Sequence, residues 1–343
     1  MAELSTMIPL RASPWQGQPW PQQLTHAVGS VDELLARLGL DRDCLPVDVD
    51  PDFPLRVPEA FLSRITPGDP ADPLLRQILP LVMENQTHPD YVADPLREAD
   101  ALLAPGVIQK YQGRALIITA PACAVHCRYC FRRAFPYAEH RLGPDSTSLG
   151  AIAADESITE VILSGGDPLM LKDSHLDRLV GRLEAIAHLK RLRIHTRLPV
   201  VIPARITPAL AARLRASRLD STMVVHINHA NEIDTELRDA LARVAEAGVQ
   251  MLNQSVLLAG INDDADALVA LSETLFAARV LPYYLHLPDK VTGTHHFAVS
   301  TECALGLYSQ MRYRLPGYLV PRLARELAGD SAKQWLIPGT AVD

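Results

Sequence analysis

The sequence predicts an α/β fold, a partial (βα)6 TIM-like barrel carrying an N-terminal, partly helical extension. Three observations lead there. Short β-branched runs recur from residue 115 onward, longer amphipathic stretches separate them, and polar side chains collect just after the runs. The runs are Ala115-Leu-Ile-Ile-Thr119, Glu160-Val-Ile-Leu163, Leu192-Arg-Ile-His195, Thr222-Met-Val-Val-His-Ile227, Val249-Gln-Met-Leu-Asn-Gln-Ser-Val256 and Pro282-Tyr-Tyr-Leu-His286. Strands that alternate with helical patterns read as parallel βα units. Between the second and third runs, Ser174 to Leu189 places Leu176, Leu179, Val180, Leu183 and Ile186 on one helical face. Ser174 with Asp177 three residues on resembles a capping box, with Asp in place of Glu. A further helix opens at Asp234 and closes at Gly248, a good C-terminal cap residue. Six units are fewer than the eight of a closed barrel, so an open partial barrel fits. A doubly wound sheet fits the same alternation, and periodicity does not separate the two.

Residues 1–105 form a proline-rich accessory region with helical patches at Val31–Leu38 and Leu74–Val82, and with Trp15 and Trp20 near its start. Residues 106–315 hold the barrel, and 316–343 form a C-terminal segment. Hydrophobic residues make up 48%, enough for a sizeable core, and the net charge of −7 argues against a nonspecific nucleic-acid coat. The first residues show no cationic region followed by an apolar run. No apolar stretch approaches the roughly 20 residues that span a bilayer. The expectation is a cytoplasmic protein that binds neither membrane nor nucleic acid.

Polar residues gather at Ser164-Gly-Gly-Asp167, His195-Thr-Arg197, His226-Ile-Asn228, Asn253-Gln-Ser255 and His286 to Asp289, each after a run. Parallel α/β folds collect catalysis at the C-terminal strand ends, so these describe one rim facing one site. Of five cysteines, Cys123, Cys127 and Cys130 lie within eight residues, in the loop after the first run. Such bunching suits metal or redox chemistry rather than a disulfide framework. Cys44 and Cys303 are expected in the core. Three thiolates can hold three irons of a four-iron cluster and leave the fourth open. Structural zinc, with His126 or His140 as fourth ligand, is the rival, although a second cysteine pair is missing.

The segment Cys123-Ala-Val-His-Cys127-Arg-Tyr-Cys130 resembles the signature of the radical S-adenosylmethionine superfamily. That resemblance implies a [4Fe-4S] cluster whose open iron chelates S-adenosylmethionine, and an electron donor such as flavodoxin or ferredoxin. Ser164, Gly165, Gly166 and Asp167 resemble the family's glycine-rich contact to the methionyl amine, and Arg197 and Gln254 are carried over as further cosubstrate contacts. The match extends over roughly residues 75–337 to the lysine 2,3-aminomutase branch, through Cys130-Phe-Arg-Arg133, Arg197-Leu-Pro-Val-Val-Ile-Pro-Ala-Arg-Ile-Thr207 and Asn228-His-Ala-Asn-Glu-Ile233.

Membership of that branch implies pyridoxal 5′-phosphate, and the stretch Gly317 to Lys333 resembles the segment carrying its lysine. Lys333 is therefore the candidate attachment point, with Tyr111 and Arg114 aligned to residues that anchor the cofactor phosphate group. Arg132 falls where the branch pairs with the substrate α-carboxylate, a task suited to a bidentate guanidinium. Asp289 and Glu326 fall where two acids face the lysine ε-ammonium. These positions imply a lysine 2,3-aminomutase, converting (S)-α-lysine to (R)-β-lysine. Leu287-Pro-Asp-Lys-Val-Thr-Gly-Thr-His-His-Phe297, His286 in place of a tyrosine, and the chain's end soon after Lys333 resemble the short bacterial proteins that serve elongation factor P. There, a separate ligase attaches the β-lysine. A lysine or glutamate mutase acting on free amino acids is the nearer alternative, and a zinc-binding module without activity is the distant one.

Overall fold

The computed structural model describes residues 15–137, 142 and 148–339. Their ten strands form one sheet: β1 (Leu102–Ala104), β2 (Val107–Tyr111), β3 (Arg114–Ala120), β4 (Glu160–Gly165), β5 (Arg191–Thr196), β6 (Asp220–Val225), β7 (Gln250–Val256), β8 (Leu281–His286), β9 (Arg322–Arg325) and β10 (Gln334–Trp335). Strands β3 to β9 run parallel, while β1, β2 and β10 are antiparallel at the two ends.

Spatial order follows chain order from β1 to β10 without a reversal. A doubly wound sheet needs a reversal to place helices on both faces. Right-handed crossovers that always step the same way put every helix on one face and curl the sheet around the other. The fold is thus an open partial barrel. Its six inner strands, β3 to β8, are the six runs read from the sequence. The seventh parallel strand β9 and the antiparallel ends are additions that the runs do not announce.

Helices cover the outside through their apolar stripes. Thr235–Glu246 buries Leu237, Ala240, Leu241 and Val244, starts with the Leu237 amide donating to Asp234 Oδ1 at 2.8 Å, and ends before Gly248 at φ +84°. The reading at Ser174 needs correction. That helix spans Asp173–Glu184 behind Lys172, which makes no side-chain cap, so Ser174 lies inside it and Ile186 and Leu189 lie beyond it. Asp173 organises the start instead, accepting from Thr207 Oγ1 at 2.6 Å and pairing with Arg205 at 2.8 Å. Cys44 and Cys303 are exposed, not core residues. Cys303 sits in a first helical turn whose orientation is set by Ser300 Oγ accepting from its amide, which turns the thiol to solvent.

The accessory region shares the barrel's core rather than forming its own. Trp20, Leu34, Phe61 and Leu74 belong to the same buried cluster as Leu192, Val225 and Leu241. Arg64 donates to the carbonyls of Val200 and Glu232 at 2.6 and 2.8 Å and to Asp234 at 2.7 Å. Arg205, fully buried, lies under the Trp20 ring. The sheet also crosses both expected boundaries, since β1 begins at Leu102 and β9 and β10 lie within 316–343. No helix of the described residues is long and apolar enough to cross a membrane.

Candidate active site

The cysteine loop leaves β3 at the rim predicted to carry the chemistry. A tight turn gathers it, with the Cys130 amide donating to Cys127 O at 3.1 Å and the Arg133 amide to Cys130 O at 3.2 Å. Behind it, Arg128 and Arg133 both donate to the buried Glu84, at 2.5–2.8 Å. Burial raises all three thiols, Cys130 to about 11, and Cys123 is pushed up further by Asp167, Cys130 and Cys127. Three thiols gathered so that their thiolates would repel one another fit a cationic iron cluster, which would replace their protons. His126 is held elsewhere, stacked on Phe53 with Nδ1 2.8 Å from Pro54 O, and His140 lies outside the described residues.

Ser164-Gly-Gly-Asp167 packs directly beneath this loop. A Cβ on Gly166 would stand 2.5 Å from Ala122 O, and one on Gly165, at φ +123°, 2.7 Å from Ala120 O. The neighbours are backbone and cannot swing aside. Gly166→Ala is therefore expected to lower stability by about 2–4 kcal/mol and to reduce iron occupancy by displacing the loop; unchanged melting temperature and iron content would refute this. Asp167 is turned inward: it accepts from Thr196 Oγ1 at 2.7 Å and from the amides of Leu169, Arg197 and Leu198 at 2.8–2.9 Å. Those four donors make it a clamp between β4 and β5.

Beside the loop, the barrel interior carries a line of paired charges. Arg132 grips Glu98 with Nε and Nη2 at 2.7 and 2.8 Å and donates from Nη1 to Ser164 Oγ at 3.0 Å. Lys110 on β2 bridges Glu98 at 3.2 Å and Glu326 at 2.7 Å, and Lys333 pairs with the other Glu326 oxygen. Burial would raise the Glu326 carboxyl, but the ammonium groups of Lys333 and Lys110 hold it down at about 2. Asp289 faces the same group, and burial followed by the Glu326 charge pushes it up to about 7. Tyr111, raised first by burial, hydrogen-bonds Glu326, and Arg114 lies over the Tyr111 ring at 4.6 Å. Arg132, Asp289, Glu326, Lys333 and Tyr111 thus converge on one interior, with Arg114 attached through a ring face.

A neutral imidazole wall completes the site. Burial, aided by nearby cations, drives His226 and His286 down to about 3 and His195 well below its usual range. Gln254 lies 2.9 Å from His226 Nε2. Arg197 donates to Gln77 Oε1 at 2.8 Å and Glu232 Oε2 at 3.1 Å, yet its buried Nε and Nη1 have no protein acceptor, nor has His195 Nε2. Unanswered buried donors of this kind fit an anionic ligand group. Lys333 Nζ stands 5.9 Å over the Tyr284 ring inside the barrel, a position that fits covalent attachment of an aromatic aldehyde cofactor. Sequence reasoning missed Glu98, Lys110, Gln77 and Glu232. Lys110 had a signal as the neighbour of Tyr111, and Glu232 lies within the Asn228–Ile233 stretch that carries the family resemblance.

Residues 117–271 match the family described as the Radical SAM superfamily. The chain is 48% identical to an L-lysine 2,3-aminomutase of Escherichia coli, over 92% of this chain and 94% of that one. Identity to the L-lysine 2,3-aminomutase of Haemophilus influenzae is 46%, over 92% and 95%. For that of Clostridium subterminale it is 30%, over 94% of this chain and 79% of the relative.

Proposed function

The chain belongs to the radical S-adenosylmethionine superfamily and, within it, to the L-lysine 2,3-aminomutase family, and we propose from that membership that it moves the α-amino group of L-lysine to the β-carbon, supplying (R)-β-lysine for elongation factor P. The observation that carries the substrate is the line of ion pairs joining Arg132 to Glu326 in one interior, with Asp289 near enough to feel the Glu326 charge. Two acids facing one ammonium select a lysine over an acidic amino acid, which they would repel. In this reading Cys123, Cys127 and Cys130 hold the cluster. Ser164, Gly165, Gly166, Asp167, Arg197 and Gln254 form the cosubstrate's wall, with Asp167 acting by fixing the 196–198 backbone. Lys333, Arg114 and Tyr111 hold pyridoxal phosphate. When bound, the cluster and S-adenosylmethionine supply a hydrogen-abstracting 5′-deoxyadenosyl radical, and pyridoxal phosphate supplies a π-system beside the migrating nitrogen that spreads an unpaired electron.

The chain's own residues position the substrate and shield the radical. Arg132 orients the carboxylate, Asp289 and Glu326 fix the far end, and the uncharged His195, His226 and His286 add no competing charge around the reacting carbons. The elongation-factor role is carried by the resemblance of His286 to Phe297 to the short bacterial proteins, and the higher identity to the Escherichia coli relative than to the Clostridium one supports that grouping. Anaerobic reconstitution should give about four irons per chain. With S-adenosylmethionine, pyridoxal phosphate, reductant and L-lysine it should form β-lysine. One zinc per chain, or no β-lysine with the cluster intact, would overturn the proposal. Addition of elongation factor P and its lysine ligase then reads the final role as a protein mass increase.

A further inference from the structure

Among the described residues, the end strands of the sheet do not pair across the barrel's open seam, which the backbone bridges outside the strands at Val92 and Val291. Side-chain ions span it. Starting from the cysteine loop, the sequence of contacts is Arg132 to Glu98, Glu98 to Lys110, Lys110 to Glu326, and Glu326 to Lys333. Glu98 is 1% exposed and sits in a turn just before β1, its amide fixed by Asp94 Oδ1 at 3.1 Å. Lys110 belongs to β2, and Glu326 directly follows β9. The relay therefore joins both ends of the sheet through groups of alternating sign, each within contact distance of the next.

Its first member, Arg132, and its fourth, Glu326, are the groups read above as the two ends of the lysine site, and Lys333 lies beyond them. Arg132 uses its Nε–Nη2 edge on Glu98 and offers its Nη1 side towards Ser164. At the other end, one Glu326 oxygen meets Lys110 and the other meets Lys333. Resting on the reading of Arg132 as the carboxylate anchor and Glu326 as an ε-ammonium acceptor, we propose that Glu98 and Lys110 are a specificity-determining spacer whose combined length fixes the amino-acid chain length that the site accepts. Neither touches the reacting atoms. They act by holding two recognition groups at a set separation across a seam where the end strands do not pair with each other. The Arg132–Glu98 pair is buried, so removing either partner would strand a buried charge.

The test is substrate choice between L-lysine and L-ornithine, one methylene shorter, in the reconstituted holoenzyme. Glu98→Asp keeps the charge and retracts the carboxylate by one methylene. It is expected to lower kcat/KM for lysine about tenfold, mostly through KM, and to lower the lysine-to-ornithine preference by a similar factor. Equal losses on both substrates, a loss confined to kcat, or an unchanged preference would overturn the spacer. If Glu98→Asp does not fold, Lys110→Arg alters the other element at constant charge and is read by the same ratio. Arg132→Lys and Glu326→Gln separate the underlying reading. If neither raises the KM for lysine, the two-ended site is what fails. If both do while the preference in Glu98→Asp stays fixed, the spacer alone fails.

Discussion

Replacing Lys333 with alanine is expected to abolish turnover, lowering kcat by about 10³-fold or more, and to remove the visible absorbance of lysine-linked pyridoxal phosphate. The position of Nζ gives the reason: it lies inside the barrel against Glu326 and the Tyr284 ring, where no other described lysine replaces it, since Lys110 is engaged by Glu98 and Glu326. A second readout comes from Glu326. Its carboxyl is held at about 2 by Lys333 and Lys110 against the upward push of burial. A carboxyl lowered in the folded state stabilises it above the unfolded value of 4.5, and that contribution fades as pH falls through the folded value. Loss of Lys333 shrinks the contribution, so acid unfolding of the apoprotein should begin at higher pH. Retained absorbance with normal turnover would remove Lys333 from its role.

Asp289→Asn is expected to trade affinity for stability. The variant should raise the KM for lysine about 10- to 100-fold, because an amide cannot balance the ε-ammonium and leaves part of it unpaired. Stability should move the other way. Asp289 is pushed up to about 7 by burial and by Glu326. A carboxyl raised in the folded state favours folding at low pH, and the benefit is lost as pH rises from about 4 to about 7. Above 7 the ionised side chain is a net burden, so the asparagine variant should be more stable by about 1–2 kcal/mol at pH 8 and gain little at pH 4. In the wild type, lysine binding should weaken as pH falls below about 7, since the site must then release a proton. Calorimetry at the two pH values and KM across the range check these points. A stability gain independent of pH would show that Asp289 is not the buried carboxylate described here.

Much of the fold was legible because each inner strand is a short run with its own composition, flanked by a helix of 3.6-residue period. Strand β9 was not, since Arg322-Leu-Ala-Arg325 is short and bears a charge at each end, and only its neighbour β8 makes it a strand. The capping reading at Ser174 failed for a related reason. The first helical turn answers to Arg205 and Thr207 more than thirty residues away, which a local pattern does not contain.

The sequence by itself determined the α/β alternation, the rim of polar residues and the bunching of Cys123, Cys127 and Cys130, because these depend on spacing along the chain. It also marked Arg132, Asp289, Glu326 and Lys333, though only through resemblance to a family whose motifs they match. Tertiary structure decided the rest. It showed Gly165 lying against the end of β3 and Gly166 against the backbone of the cysteine loop, Asp167 turned to its own fold, and Glu98 and Lys110 linking groups from opposite ends of the sheet. The physical reason is range. Periodicity and capping act over a few residues, whereas a buried charge takes its protonation and its role from whichever partner the folded chain brings within about 4 Å.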